Sequence, residues 1–300
     1  MQPLALQEPA LSDHAAEPRR TYLADTVRRF TRHKAATVAL FVLAAIAVSA
    51  VLAPEIAPYP LTQPDLSAIL QPPSWRHLMG TDPLGVDLFT EVLWGGRISL
   101  VIGLCSAALG VTLGGLVGAV AGYFGGLVDA ALMRLTDVAL SIPALFLVLV
   151  FTRLIGSSPF AIIVIIGVTS WMYPARIMRS QVLSLREREF VESARAAGAR
   201  SGRIIWREIA PNAIAPLIVN ATLLAGAAIV IEATLDYLGA GLSPPNVSWG
   251  LLLNEAQSNL VNAPWLAIFP SVMIFLVVLS VNLIGDGLRD ALDPTARPTR

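Results

Sequence analysis

Charge is scarce in this 300-residue chain: Asp, Glu, Lys and Arg make up 14 % of it, against 55 % hydrophobic residues. Soluble domains carry roughly a quarter charged residues, so the composition excludes an ordinary water-soluble fold. There is one lysine, Lys34, one cysteine, Cys105, and three histidines, His14, His33 and His77. A single cysteine excludes a disulfide framework and a cysteine-based metal site, and Cys105, inside an apolar run, is expected to pack. The lone lysine is not part of a G-x-x-x-x-G-K-S/T loop, so the chain lacks that phosphate cradle for ATP. No H-E-x-x-H occurs and the histidines are far apart in sequence, which leaves membrane metalloprotease chemistry unsupported. A formal net charge of zero gives no overall basic footprint for nucleic acid.

What the chain has is long apolar runs. Six are legible: Ala35–Ala53, Ile98–Ala121, Val138–Ile155 with Pro143 inside it, Phe160–Tyr173, Ala213–Leu235 and Trp265–Ile284. The first has 19 uncharged residues. As a helix it is about 28 Å long, a bilayer core, and it exceeds the roughly 7–15 residues of a signal-peptide core. The expected fold is therefore all-α: a polytopic membrane protein with six transmembrane helices. Residues 1–34 form a polar arm in which Leu23, Val27 and Phe30 line one face of an interfacial helix. Residues 35–97 hold the first span and an outer loop, expected to end in an interfacial helix over Asp87–Trp94. Residues 98–285 form a core of five spans, and 286–300 a polar tail. Gly110, Gly114, Gly118 and Gly122 fall on one helix face, a device for close helix approach. Packing within the subunit is favoured there over a subunit interface.

Arginine sets the orientation. With the N-terminus inside, the inner segments carry six Lys or Arg in 19–34, one at Arg134, eight in 176–207 and three in 289–300. The outer segments carry only Arg76, Arg97 and Arg153. The positive-inside rule then places both termini, and the charged run from Glu187 to Asn212, in the cytoplasm.

That run reads E-R-E-F-V-E-S-A-R-A-A-G-A-R-S-G-R-I-I-W-R-E-I-A-P-N. A helix over Glu189–Ala197 is expected to stop at Gly198, and a second over Gly202–Ile209 to stop before Pro211. This helix-turn-helix is long for a connector. Val191, Ala194 and Ala197 share a face flanked by Glu192 and Arg195, a small apolar stripe suited to docking against a partner. A folded loop that touches no partner is the alternative.

The run also resembles a known family. E-S-A-R-A-A-G, nine residues, then E-I-A-P is similar to the E-A-A-x-x-x-G-x9-I-x-L-P coupling loop of ABC importer permeases. Glu192, Ala194, Gly198 and Pro211 match; Ser193, Glu208 and Ala210 depart from it. G-T-D-P-L-G-V-D before the second span, G-G-R-I-S-L at its start, G-Y-F-G-G-L-V-D-A-A-L-M-R-L-T-D-V after it, and L-G-A-G-L-S-P-P-N-V-S-W-G after the fifth resemble the dipeptide/oligopeptide/nickel group. The likeness is to its second permease, the one with a long N-terminal arm, and extends over about residues 20–294. Val86 stands where that group commonly has arginine.

The resemblance implies a permease subunit of a binding-protein-dependent importer in a bacterial inner membrane, with no catalysis of its own. Its implied partners are a homologous second permease, two cytoplasmic ABC ATPases that hold ATP and Mg, a periplasmic or extracellular solute-binding protein, and membrane lipids. Dipeptides, longer peptides, nickel complexes and glutathione-like solutes all stay open as cargo. The coupling loop would sit in a cleft of the ATPase.

Glu232 is the one carboxylate clearly within an expected span, and such groups are functional by default. A structural, paired role near the outer end of the fifth helix is favoured here over a place on the path. Asp129, Arg134 and Asp137 are expected to form short-range ion pairs. A stand-alone ion-coupled transporter is the alternative function, but it requires inverted repeats and several midplane acids. Only one candidate acid is visible, and no repeat between the halves.

Overall fold

A computed structural model describes residues 22–292, with side chains from residue 26. Arg19 and Arg20, the rest of the arm before residue 22, and the tail from Asp293 lie outside the described residues. The helices in chain order are α1 Tyr22–Arg32, α2 Lys34–Val51, α3 Ala53–Ile56, α4 Leu88–Phe124, α5 Gly126–Leu140, α6 Ala144–Ile155, α7 Pro159–Val168, α8 Met172–Leu185, α9 Glu189–Ala196, α10 Ser201–Arg203, α11 Ala210–Tyr237, α12 Trp249–Ala256 and α13 Trp265–Leu292. Among the described residues there is no named strand, only an isolated bridge between Thr81 and Asp87. Four helical stretches are long and apolar enough to cross a membrane, and six spans result if two bent pairs each count as one. The all-α membrane fold expected from the apolar runs is the one observed.

Both bends have local causes. The α5–α6 pair turns by 85° at Ser141–Pro143, because a proline disfavours helical geometry in the residue before it. The α7–α8 pair turns by 44°. Pro174 lacks the N–H that would continue the ladder there, and Thr169 and Ser170 hydroxyls donate back to the carbonyls of Ile165 and Ile166 at 2.8 and 2.6 Å. The fourth span therefore does not end near Tyr173; it bends and runs on to Leu185.

The second span also runs further than expected. Asp87 caps its N-terminus by accepting the Thr90 N–H at 2.9 Å, and one helix of 37 residues follows. At 1.5 Å per residue this is about 55 Å, well beyond a hydrocarbon core of about 30 Å. The interfacial helix expected over Asp87–Trp94 is thus the N-terminal part of α4 itself. Gly95 and Gly96 do not break it, because the backbone of Ser248 and the ring of Trp249 pack directly on them.

The four glycines at four-residue spacing form the seam of the bundle. A methyl added at Gly114 would lie 2.4 Å from the Trp171 carbonyl oxygen, and one at Gly118 2.2 Å from that of Ala175. Gly110 faces the end of α7, and Gly122 faces Arg179 and Val182 of α8. The seam lies within the subunit, as the favoured reading had it. Cys105 is exposed; this corrects its expected packing role. It lies on a face of α4 shared with the exposed Val101 and Leu104, apolar surface that hydrocarbon solvates at no cost.

Asp129 and Asp137 do form ion pairs, but with residues distant in sequence. Arg179 donates to both oxygens of Asp129 at 2.5 and 2.6 Å, and Arg176 to Asp137 at 2.5 Å. The Arg179 fork and the single Arg176 contact tie α5 to α8. At one end of the bundle α1 packs on α13, with Phe30 close to Gly287. The helical turns from Gly285 to Leu292 belong to α13. The loop 57–87 and α12 cover the opposite end.

Gly118→Leu is expected to lower stability by about 1–3 kcal/mol, the usual cost of overpacking, despite leucine's better helix propensity. Thermal unfolding of the purified protein in detergent checks this. A variant as stable as the parent would show that α4 and α8 are not in backbone contact.

Candidate functional site

The charged run joins the end of α8 to the start of α11. The Arg186 guanidinium donates to the Gly122 carbonyl at 3.0 Å, fixing the exit from α8 against α4. Next comes α9, with Glu189 and Glu192 in its first turn and Arg195 in its last, the charge order a helix dipole favours. Gly198 then adopts φ +77°. Its N–H bonds the Arg195 carbonyl at 3.0 Å, and the Ala199 N–H bonds that of Ala194 at 3.0 Å. This pair of bonds is a Schellman turn, whose left-handed position favours glycine. A side chain at Gly198 would meet no atom within 4 Å, so only the backbone geometry penalises one.

Two expectations for this element fail. The second helix does not stop before Pro211. A π segment, Ile204–Ile209, carries the chain from α10 into α11, and Pro211 lies in the first turn of α11. In an α-helix the proline ring would press on the carbonyl four residues back. The wider turn, in which the Ala210 N–H bonds the Ile205 carbonyl, opens the ladder just ahead of it. The Asn212 side-chain amide donates to the Glu208 carbonyl at 2.7 Å, which supports the same turn.

The apolar stripe is the second correction. Val191 is 0 % exposed and packs with Ile204, Ile205, Ile209 and Leu217 of this chain, and Ala194 lies half-buried against the same cluster. An eight-residue helix has little else to hold it, so its apolar face turns inward. The outward surface consists of Glu192, Ser193, Ala196, Ala197 and Gly198, with Phe190 40 % and Trp206 49 % exposed. The four motif residues are thus divided: Glu192, Gly198 and Pro211 are exposed, and Ala194 is partly covered. Exposed aromatics beside a rigid turn are what a contact surface offers; Phe190 and Trp206 were legible as residues, but not their outward direction.

Beside this element, α8, α11 and α13 enclose a cleft of about 600 Å³ lined by Gln181, Asn212, Pro216, Asn220 and Arg289 among others. The Asn220 Oδ1 is buried there without a hydrogen-bond partner.

The opposite end is organised by buried acids. Glu232 is 0 % exposed; its Oε1 accepts from the Ser99 hydroxyl at 3.2 Å, and its Oε2 is buried without a hydrogen-bond partner. Asp236 accepts from the Ser248 hydroxyl and from the Leu242 N–H. The Trp249 indole donates to the Val92 carbonyl at 2.9 Å. Glu232 is therefore part of a network joining α4, α11 and α12, which favours its structural reading. Asp236 was not singled out from the sequence, because it falls at the end of an apolar run that reads as complete without it. Val86 is buried, and its N–H bonds Asp82.

The known proteins most informative about this arrangement are transporter subunits. Residues 114–298 match the family described as binding-protein-dependent transport system inner membrane component. Residues 21–73 match the N-terminal TM domain of oligopeptide transport permease C. A putative peptide permease protein of Brucella suis is 41 % identical over 276 residues, covering 91 % of each chain. The oligopeptide transport system permease protein OppC of Mycobacterium bovis is 40 % identical over 277 residues, 91 % of this chain and 95 % of its own. Among solved structures, an inward-facing MetNI methionine ABC transporter chain superposes with a TM-score of 0.55 at 20 % identity, covering 68 % of this chain and 97 % of that one. At that identity the likeness concerns fold alone.

Val191→Asp is expected to detach and unfold α9, so that trypsin cleaves after the already exposed Arg195 and Arg200, whereas Glu192→Ala leaves the digestion pattern unchanged. Equal resistance in both variants would mean that Val191 does not face the core.

Proposed function

Because the chain belongs to the family of binding-protein-dependent transport system inner membrane components, it is a non-catalytic permease subunit of an ABC importer, and we propose that its α9–π element is where the ATPases grip it. The observation that carries this reading is the rigid turn at Gly198, held from behind by Val191 and the π segment and presenting Glu192, Phe190 and Trp206 outward. A surface that transmits closure of a partner has to be stiff, and both of its flanks continue into long helices. In this reading Glu192, Ala194, Gly198 and Pro211 define the coupling element: Glu192 and the exposed face touch the ATPase, Ala194 seats the helix, Gly198 sets the turn and Pro211 sets its direction.

The same reading puts the chain in a bacterial inner membrane with the arginine-rich end and both termini cytoplasmic, supported by the arginine distribution. A second, homologous permease supplies the other half of the path, two ATPases bring ATP and Mg, and a solute-binding protein delivers cargo at the opposite end. The relatives named for peptide and oligopeptide transport favour peptides as the cargo class. The division into an arm, a first span with its outer loop, a five-span core and a tail follows the same assignment. No ion-coupled mechanism is needed: Glu232, the acid such a mechanism would use, is held in an interhelical network.

Affinity isolation of the tagged chain is expected to bring down one further permease and an ATPase pair. Gly198→Val places a β-branched residue in a left-handed conformation, at a cost of about 1–2 kcal/mol. Peptide uptake should fall roughly five- to thirtyfold while the complex still assembles or loosens at the ATPase. Unchanged uptake with an intact complex would remove Gly198 from the coupling path.

A further inference from the structure

The end of the bundle opposite the coupling element holds a second group of acids, separate from the Glu232 network. Asp82 lies in the turn before α4, Glu91 in the first turns of α4, and Glu255 on α12. One carboxylate oxygen from each lies within 4.8 Å of the other two. Asp82 and Glu91 are buried, at 4 % and 7 % exposed, and Glu255 is the most open of the three. Among the described residues no arginine, lysine or histidine pairs with any of them. The nearby His77 is engaged with Asp87, its Nδ1 3.0 Å from Oδ1.

Hydrogen bonding satisfies only part of the group. The Asp82 carboxylate accepts from the Leu84 and Val86 N–H groups at 2.8 and 2.6 Å, with the Gly85 N–H also against it. The Glu91 Oε2 is fully buried with no partner at all. A buried carboxylate oxygen without a donor is costly and rare unless something else compensates it. Burial holds the Asp82 carboxyl above its usual range, and burial followed by the charge of Asp82 does the same to Glu255.

We infer that Asp82, Glu91 and Glu255 form a calcium site that staples the loop before α4 to α4 and α12. Three hard oxygens from three segments suit an alkaline-earth cation, and nitrogen or sulfur ligands for a softer metal are missing from the group. Three oxygens within 4.8 Å of one another share a point no more than about 2.8 Å from each, so side-chain shifts of about 0.2–0.5 Å bring them to the roughly 2.3–2.6 Å of Ca2+ ligands. Magnesium, at about 2.0–2.1 Å, demands a tighter octahedron. The opening beside Glu255 leaves room for water to complete the shell. With one side open, an affinity of about 10⁻⁴–10⁻³ M is expected, the range of extracellular calcium modules.

The test uses the assembled importer in detergent, stripped with EDTA and dialysed against 45Ca2+ with magnesium present throughout. Wild type is expected to bind about one more Ca2+ per copy of this chain than Glu91→Gln or Glu255→Gln, and only wild type should gain a few degrees of apparent Tm on adding calcium. If Glu91→Gln fails to assemble, Glu255→Gln carries the comparison alone, since its side chain is the most open. Equal calcium binding in wild type and variant, or no thermal response in wild type, overturns the site. Neither result bears on the coupling element, which is read separately by uptake and subunit recovery.

Discussion

Backbone contact between α4 and α8 is the constraint the rest of the structure depends on. In hydrocarbon no hydrophobic effect drives helices together, so they associate where side chains are small enough for close packing. Gly114, Gly118 and Gly122 let α8 lie against α4 at distances that even a methyl group would forbid. With α8 fixed, the Arg179 fork and the Arg176 ion pair lock α5 beside it, and Arg186 is delivered to the Gly122 carbonyl. The orientation of α9 follows, because only three residues separate it from α8 and it stands on a cluster that includes Ala119, Met178 and Val182. A single glycine face thus sets the pose of the surface assigned to the ATPases.

The two ends of the bundle are built on different chemistry. The arginine-rich end uses apolar packing under a charged skin, with ion pairs partly open to solvent. The opposite end buries carboxylates. Serine hydroxyls and a backbone N–H hold Glu232 and Asp236 there, although the Glu232 Oε2, like the Glu91 Oε2, is buried without a partner. Polar networks of this kind specify shape more narrowly than apolar contacts do. The tie from Trp265 Nε1 to the Thr81 carbonyl, at 3.3 Å, anchors the loop before α4 to α13.

Much of this was legible in the residues. The apolar runs announced the membrane class, the glycine spacing the seam, and Gly198 the turn, whereas the third run, Val138–Ile155, read as one span and is broken at Pro143 by an 85° bend. What escaped had physical causes. Pro211 reads as a stop signal because the rule assumes an α-helical ladder, and the π segment relaxes that assumption. The stripe of Val191 and Ala194 reads as a docking face because periodicity shows that a face is apolar without showing what lies against it. The pairing of Asp129 with Arg179 spans 50 residues, and no local pattern encodes it. Asp82, Glu91 and Glu255 come together from three segments, so their proximity is a property of the fold alone.

Cross-linking from the outward face of α9 tests the central claim most directly. With Cys105 replaced by serine, Ala197→Cys in the assembled importer should form a short-reagent cross-link to an ATPase subunit, and Leu84→Cys, exposed at the opposite end, should form none. Failure of Ala197→Cys to link, or equal linking from both positions, would contradict the assignment of this face to the ATPases.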